Sequence, residues 1–141
     1  MYILDTNVVS ELRKGKKADR NVRKWAQELP AASLYLSAIS ILELELGILL
    51  VERRDQKQGV VLRTWMDKHV MPTFAGRVLP IDTEVAQRCA ALHVPDPRSD
   101  RDALIAATAL VHGMTVATRN VSHFQRMGVG IVDPWGTTRG S

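Results

Sequence analysis

One run of small and apolar residues behind two acids constrains this chain most: Ser99-Asp100-Arg101-Asp102-Ala103-Leu104-Ile105-Ala106-Ala107-Thr108-Ala109-Leu110. Small side chains let a helix press close to a sheet. The run therefore predicts a buried helix over residues 102–112, with Gly113 as its left-handed terminator. Ser99 can cap it, and Asp102 stands three residues on, close to the capping-box pattern with Asp in place of Glu or Gln. Asp102 is then expected at the rim of the core, facing whatever lies across the strand ends.

Around that helix, short apolar runs alternate with helical segments. Strands are expected at 2–4, 34–37, 78–81, 114–118 and 130–132. Helices are expected over 8–14, 21–28, from Ser40 onward, over 56–70, and from Asp82-Thr83-Glu84 to about Leu92. Thr6 or Asn7 can cap the first helix and Gly15 stop it. Ser40-Ile41-Leu42-Glu43 matches a capping box. Glu52-Arg53-Arg54-Asp55 joins two amphipathic helices into a hairpin that Pro72 should end. Asp82 reads as an N-cap. Trp135 is expected to pack over a sheet edge. The alternation implies an α/β fold, a central parallel sheet with helices on both faces. At 141 residues the chain has room for one domain with a real core. That domain is expected over residues 1–135, with 136–141 as a flexible tail.

The net charge of +4 leans modestly towards a polyanionic partner, and 5% aromatic content argues against recognition dominated by base-stacking platforms. Arg13-Lys14-Gly15-Lys16-Lys17, with Arg20, Arg23 and Lys24, forms a basic cluster. Singly these are solvated side chains; together they can steer a phosphate backbone. Cys89 is the single cysteine, so no internal disulfide can form, which suits a reducing cytoplasm. Its apolar helical setting suggests a buried structural thiol. The opening Met1-Tyr2-Ile3-Leu4-Asp5 enters a strand directly, and no signal peptide is expected. The longest apolar stretch, residues 34–51, is broken by Ser37, Ser40, Glu43, Glu45 and Gly47, so no membrane span is expected.

Asp5 falls at the carboxyl end of the first strand. It is either a turn residue or an acid on the ligand side, since open α/β sheets bind ligands beyond the carboxyl ends of their strands. Glu43 and Glu45 are two residues apart, about 200° round a helix, so one of them can face the same cleft. Asn120 follows the strand at 114–118. Asp5, Glu43 or Glu45, Asp102 and Asn120 are thus expected to converge. Clustered carboxylates are costly unless a cation compensates them. All-oxygen donors suit Mg²⁺ or Mn²⁺ rather than zinc, and the histidines at 69, 93, 112 and 123 show no close ligand spacing. Such an ion activates water for attack on a phosphodiester. A phospho-acceptor role for Asp5 is disfavoured: no Asp-x-Asp follows the first strand.

These residues also resemble those of PIN-domain nucleases. Tyr2-Ile3-Leu4-Asp5-Thr6-Asn7 resembles the family's first acidic motif. Residues 37–47, with Glu43-Leu44-Glu45-Leu46-Gly47, resemble the second, in which the acid precedes the glycine by four; this favours Glu43. Asp102 to Leu110 resembles the third very closely, and Ala117-Thr118-Arg119-Asn120 through Phe124 the fourth. Val132-Asp133-Pro134-Trp135 is typical of the FitB-like subgroup of the VapC type. The resemblance implies a single PIN-like α/β/α domain. It also implies a Mg²⁺/Mn²⁺-dependent endoribonuclease, the toxin of a type II toxin–antitoxin pair. Its catalytic set would be Asp5, Glu43, Asp102 and Asn120, with the metal on Asp5 and Asp102. Its partners would be RNA, a second copy of itself and an antitoxin, with operator DNA reached through the antitoxin. Two positions depart from the family: Asn120 stands where Asp is frequent, and His123 where a further acid is frequent. They leave an alternative, a catalytically weak module that binds nucleic acid or a regulatory protein. Thr6 and Asn7 are expected to orient Asp5. Arg101 and Arg119 are expected either to meet substrate phosphate or to pair with Asp100 or Asp102.

Overall fold

The computed structural model describes residues 1–136. Five strands form one parallel sheet: β1 (Tyr2–Leu4), β2 (Leu34–Ser37), β3 (Val78–Leu79), β4 (Thr115–Ala117) and β5 (Ile131–Val132), in the order β3-β2-β1-β4-β5. The central register pairs Tyr2 with Leu34 on one side and with Thr115 on the other. The helices are α1 (Thr6–Leu12), α2 (Arg20–Gln27), α3 (Ala38–Arg54), α4 (Gln56–Trp65), α5 (Met71–Thr73), α6 (Thr83–Leu92), α7 (Asp100–His112) and α8 (Val121–Phe124). This is the α/β/α architecture expected from the alternation.

Successive strand residues divide between two cores, as a period of two demands. Leu4, Leu34, Leu36 and Ala117 join Val8, Val22, Leu44, Ile48 and Met66 on the α1–α4 face. Ile3 and Val116 join Ile105, Ala106, Ala109 and Phe124 on the α7–α8 face. With both faces covered, the strands read as continuous apolar runs. The small residues of α7 serve two contacts. Ile105, Ala106 and Ala109 meet the sheet, while Ala103 and Ala107 meet Val85 and Cys89 of α6.

Several local expectations are corrected. Asp5, not Thr6 or Asn7, caps α1: its backbone is extended and its carboxylate accepts the Thr6 N–H. Ser37, the last residue of β2, caps α3 by accepting the Ile39 N–H at 3.1 Å, so the helix begins before Ser40. Ser40 is buried inside the first turn and its hydroxyl donates to the Leu4 carbonyl at 3.4 Å, which removes the capping box with Glu43. Helix α7 begins at Asp100, and Ser99 gives it no side-chain cap. Pro72 does not end the second hairpin helix. A π-helical turn, Met66–Val70, intervenes and α5 carries the proline. Widening the turn shifts the hydrogen-bond register, which accommodates a residue with no N–H to give.

The α3–α4 hairpin depends on Gly59. A Cβ there would stand 2.6 Å from Glu52 Cγ and 2.9 Å from Glu52 Cα, so the two backbones approach where only hydrogen fits. Asp82 caps α6 through the Val85 N–H, and Gly113 ends α7 at φ 67°, both as expected. Trp135 packs against the α1–α4 core, and its carbonyl accepts from the Asn21 side chain at 3.0 Å. No helix among the described residues is long and apolar enough to cross a membrane. The tail expected over 136–141 lies, beyond Gly136, outside the described residues.

Candidate active site

The chain leaves β1 to build β2 and β3 on one side, then returns to place β4 on the other. The crevice at that reversal, beyond the carboxyl ends of β1 and β4, is where open α/β sheets bind ligands. Asp5 follows β1 and Thr118 follows β4, so both enter it.

Asp5 is 5% exposed, and each of its oxygens accepts at least one hydrogen bond. Oδ1 accepts the Thr6 N–H at 2.8 Å; Oδ2 accepts the Thr118 hydroxyl at 2.7 Å and the Asn7 amide at 3.3 Å. Burial pushes its carboxyl above the ordinary value. The Thr118 and Thr6 hydrogen bonds oppose that, and the charges of Asp102 and Glu43 add to it. Glu43 projects from the second turn of α3, and its Oε1 accepts the Thr6 hydroxyl at 2.6 Å. Thr6 therefore ties two acids together, one through its amide and one through its hydroxyl. Arg101 Nη1 stands 3.7 Å from Glu43 Oε2.

Asp102, in the first turn of α7, receives His123 Nδ1 at 3.2 Å from Oδ2. Burial raises its pKa first; His123 opposes the rise and Glu43 adds to it. The three carboxylates thus feel one another's charge. Among the described residues, no three His, Cys, Asp or Glu side chains form a ready-made cation cage. A hard cation that keeps several waters and takes one or two carboxylates still suits this donor set, because mutual repulsion in a half-buried cleft is what a cation relieves.

Asn120 reaches the site through its backbone. Its N–H donates to the Thr118 hydroxyl at 2.9 Å, its carbonyl accepts the His123 N–H at 3.0 Å, and its side chain makes no capping bond. Glu45 turns away: Arg63 of α4 holds both its oxygens, at 2.8 and 2.5 Å. Arg119 pairs with neither Asp100 nor Asp102. It stacks 5.1 Å from the Trp135 ring centroid, and its N–H donates to Asn7 Oδ1 at 3.3 Å.

Comparison with known proteins agrees with this arrangement. Residues 2–129 match the PIN domain. The chain belongs to the PIN domain family. The PIN domain is 39% identical over 140 residues to VapC ribonuclease Y4jK of Sinorhizobium fredii, covering 96% of this chain and 98% of that one. It is 37% identical over 140 residues to toxin FitB of Neisseria gonorrhoeae, covering 96% and 99%. The crystal structure of FitAcB from Neisseria gonorrhoeae superposes with a TM-score of 0.87 at 36% identity, covering 96% of this chain and 99% of that one. PIN-domain nucleases of the VapC type are generally dependent on divalent metals.

Sequence reasoning missed two residues of this PIN domain's cleft. Thr118 is buried and binds Asp5 and Asn120 together. Its signal was its place at the end of β4, opposite Asp5. His123 departs from the family pattern, and its contact with Asp102 exists only in the fold.

Proposed function

We propose that this chain is a Mg²⁺/Mn²⁺-dependent endoribonuclease, the toxin of a type II toxin–antitoxin pair, hydrolysing RNA phosphodiester bonds in the cytoplasm. The observation that carries the reading is the convergence of Asp5, Glu43 and Asp102, from three separate segments, at the crevice between β1 and β4. Similarity to a VapC ribonuclease and to a toxin supports it.

Asp5 and Asp102 would hold the divalent ion, with Glu43 and Asn120 completing the catalytic set. A divalent ion held by these carboxylates would supply Lewis-acid activation of water and charge compensation for phosphodiester hydrolysis. Thr118, Asn7 and the Thr6 amide fix the Asp5 carboxylate, so its lone pairs are aimed before anything binds. Thr6 holds Glu43 by Oε1, which leaves Oε2 to take a proton from water. Arg101, half exposed beside it, is placed to meet a phosphate oxygen. The partners are an RNA substrate, a cognate antitoxin, a second copy of the chain, and operator DNA through the antitoxin.

One pair of observations favours the weaker alternative, a binding module. Asn120 adds no charge, and His123 occupies one oxygen of Asp102. Cleavage of a mixed cellular RNA pool in Mg²⁺, Mn²⁺ or EDTA, with Asp102→Asn as control, decides between them. Metal-dependent products that vanish in the variant are expected. No products in any metal, with RNA or partner binding retained, would overturn the nuclease reading.

A further inference from the structure

Helix α3 carries a glycine that the fold does not need. Gly47 lies mid-helix, where glycine is the poorest residue after proline. Nothing approaches within 4 Å of the position its Cβ would take. Gly59 has an opposing helix to explain it; Gly47 has none. What it borders is a groove of about 240 Å³ whose wall begins at Thr6 and Glu43 and runs past Gly47 and Ile48 to Trp65 and Arg13. Gly47 stands one helical turn beyond Glu43, on the same face of α3. A side chain there would project into the groove.

The far end of the groove has its own chemistry. The Arg13 guanidinium lies 5.9 Å from the Trp65 ring centroid, and among the described residues no carboxylate pairs with it. A flat aromatic, a guanidinium with no carboxylate partner and an apolar floor suit a base and its phosphate. The volume is below the roughly 300–1,000 Å³ of drug-sized sites, room for one ring system.

We propose that this groove is a nucleotide subsite: Gly47 leaves room for one base of single-stranded RNA beside the scissile phosphate, with Trp65 and Arg13 at its outer end. The proposal rests on the nuclease reading above. A strand whose phosphate lies at Glu43 must carry its neighbouring base somewhere within one nucleotide's reach, and the groove opens at that point. Gly47 is then a specificity-determining residue, with no part in the chemistry.

The test compares wild type, Gly47→Ala and Gly47→Leu on a short single-stranded RNA of randomised sequence in Mn²⁺. Melting temperatures, KM, kcat and the bases flanking each cut are read. Both variants should melt no lower than wild type, because the helix improves and nothing is crowded. Gly47→Leu should raise KM roughly tenfold or more, with a smaller effect on kcat and a relaxed base preference. Gly47→Ala should fall between. Unchanged KM and cut-end profile in Gly47→Leu would overturn the proposal. So would unchanged RNA kinetics accompanied by lost binding of a protein partner, which would assign the groove to that partner. If wild type makes no metal-dependent cut, or Asp102→Asn cuts equally, the nuclease reading fails instead. RNA affinity by fluorescence anisotropy then still judges the groove, and equal affinity of wild type and Gly47→Leu overturns it.

Discussion

Thr118 donates its hydroxyl hydrogen to Asp5 Oδ2 at 2.7 Å, across 113 residues of chain and within the buried seam between β4 and β1. The Thr118 hydroxyl oxygen in turn accepts the Asn120 N–H at 2.9 Å. One hydroxyl therefore fixes both the acid after β1 and the backbone turn after β4.

Thr118→Val keeps the shape and deletes that link. It should destabilise the protein by about 1–3 kcal/mol, because a buried acceptor and a buried donor lose their partner. It should lower metal affinity or activity by on the order of 10–100-fold, the usual effect of removing a group that orients a ligand. Thr118→Ser should restore both. Urea unfolding and Mn²⁺ titration check it.

Two glycines in the α3–α4 hairpin should respond to alanine with opposite signs. Gly47→Ala meets open space and should gain about 0.5–1 kcal/mol from helix propensity. Gly59→Ala places a methyl 2.9 Å from the Glu52 backbone and should lose about 1–3 kcal/mol as the helices are pushed apart. Chemical denaturation of both variants measures the difference.

The Glu45–Arg63 pair predicts a small acid-side loss of stability. The Arg63 hydrogen bond holds the Glu45 carboxyl below its ordinary value of 4.5. A depressed folded-state pKa means the stabilisation is present above 4.5 and fades as pH falls through the folded value. Both side chains are about a third exposed, so solvent screening keeps the effect small. Melting curves of wild type and Glu45→Gln should differ at neutral pH and converge in acid.

Cys89 should be a slow thiol. Burial against α7 pushes its pKa up, and the Asp100 charge adds to that, so little thiolate is present at neutral pH. Iodoacetamide should label the native protein far more slowly than the urea-unfolded chain. Equal rates would show that α6 and α7 separate freely.

Divalent metal should stabilise the folded protein through the acids of the cleft. At a concentration about a hundred times Kd, Mn²⁺ should add roughly 2.7 kcal/mol. Asp5→Asn and Asp102→Asn should each abolish the shift. Thermal melts with Mn²⁺ and with EDTA read it directly.

Much of this molecule was legible in its residues alone. Apolar runs bounded by turn residues located all five strands, and small residues behind Asp102 marked the helix that packs on both the sheet and α6. These are local signals, set by periodicity and side-chain size. The acids at the strand ends were visible for the same reason, since a strand's last residue is a local fact.

Tertiary structure decided the rest. Glu43 and Glu45 have the same chemistry and the same helix; what separates them is a hydroxyl on α1 and a guanidinium on α4. Ser37 takes the cap from Ser40 because β2 runs straight into α3 and buries Ser40 against Leu4. Thr118 and His123 acquire their roles only when β4 lies beside β1 and α8 comes to rest against α7. Composition and periodicity report what each segment prefers. Which side chains share a hydrogen bond depends on elements brought together from distant parts of the chain, and only folding supplies that distance.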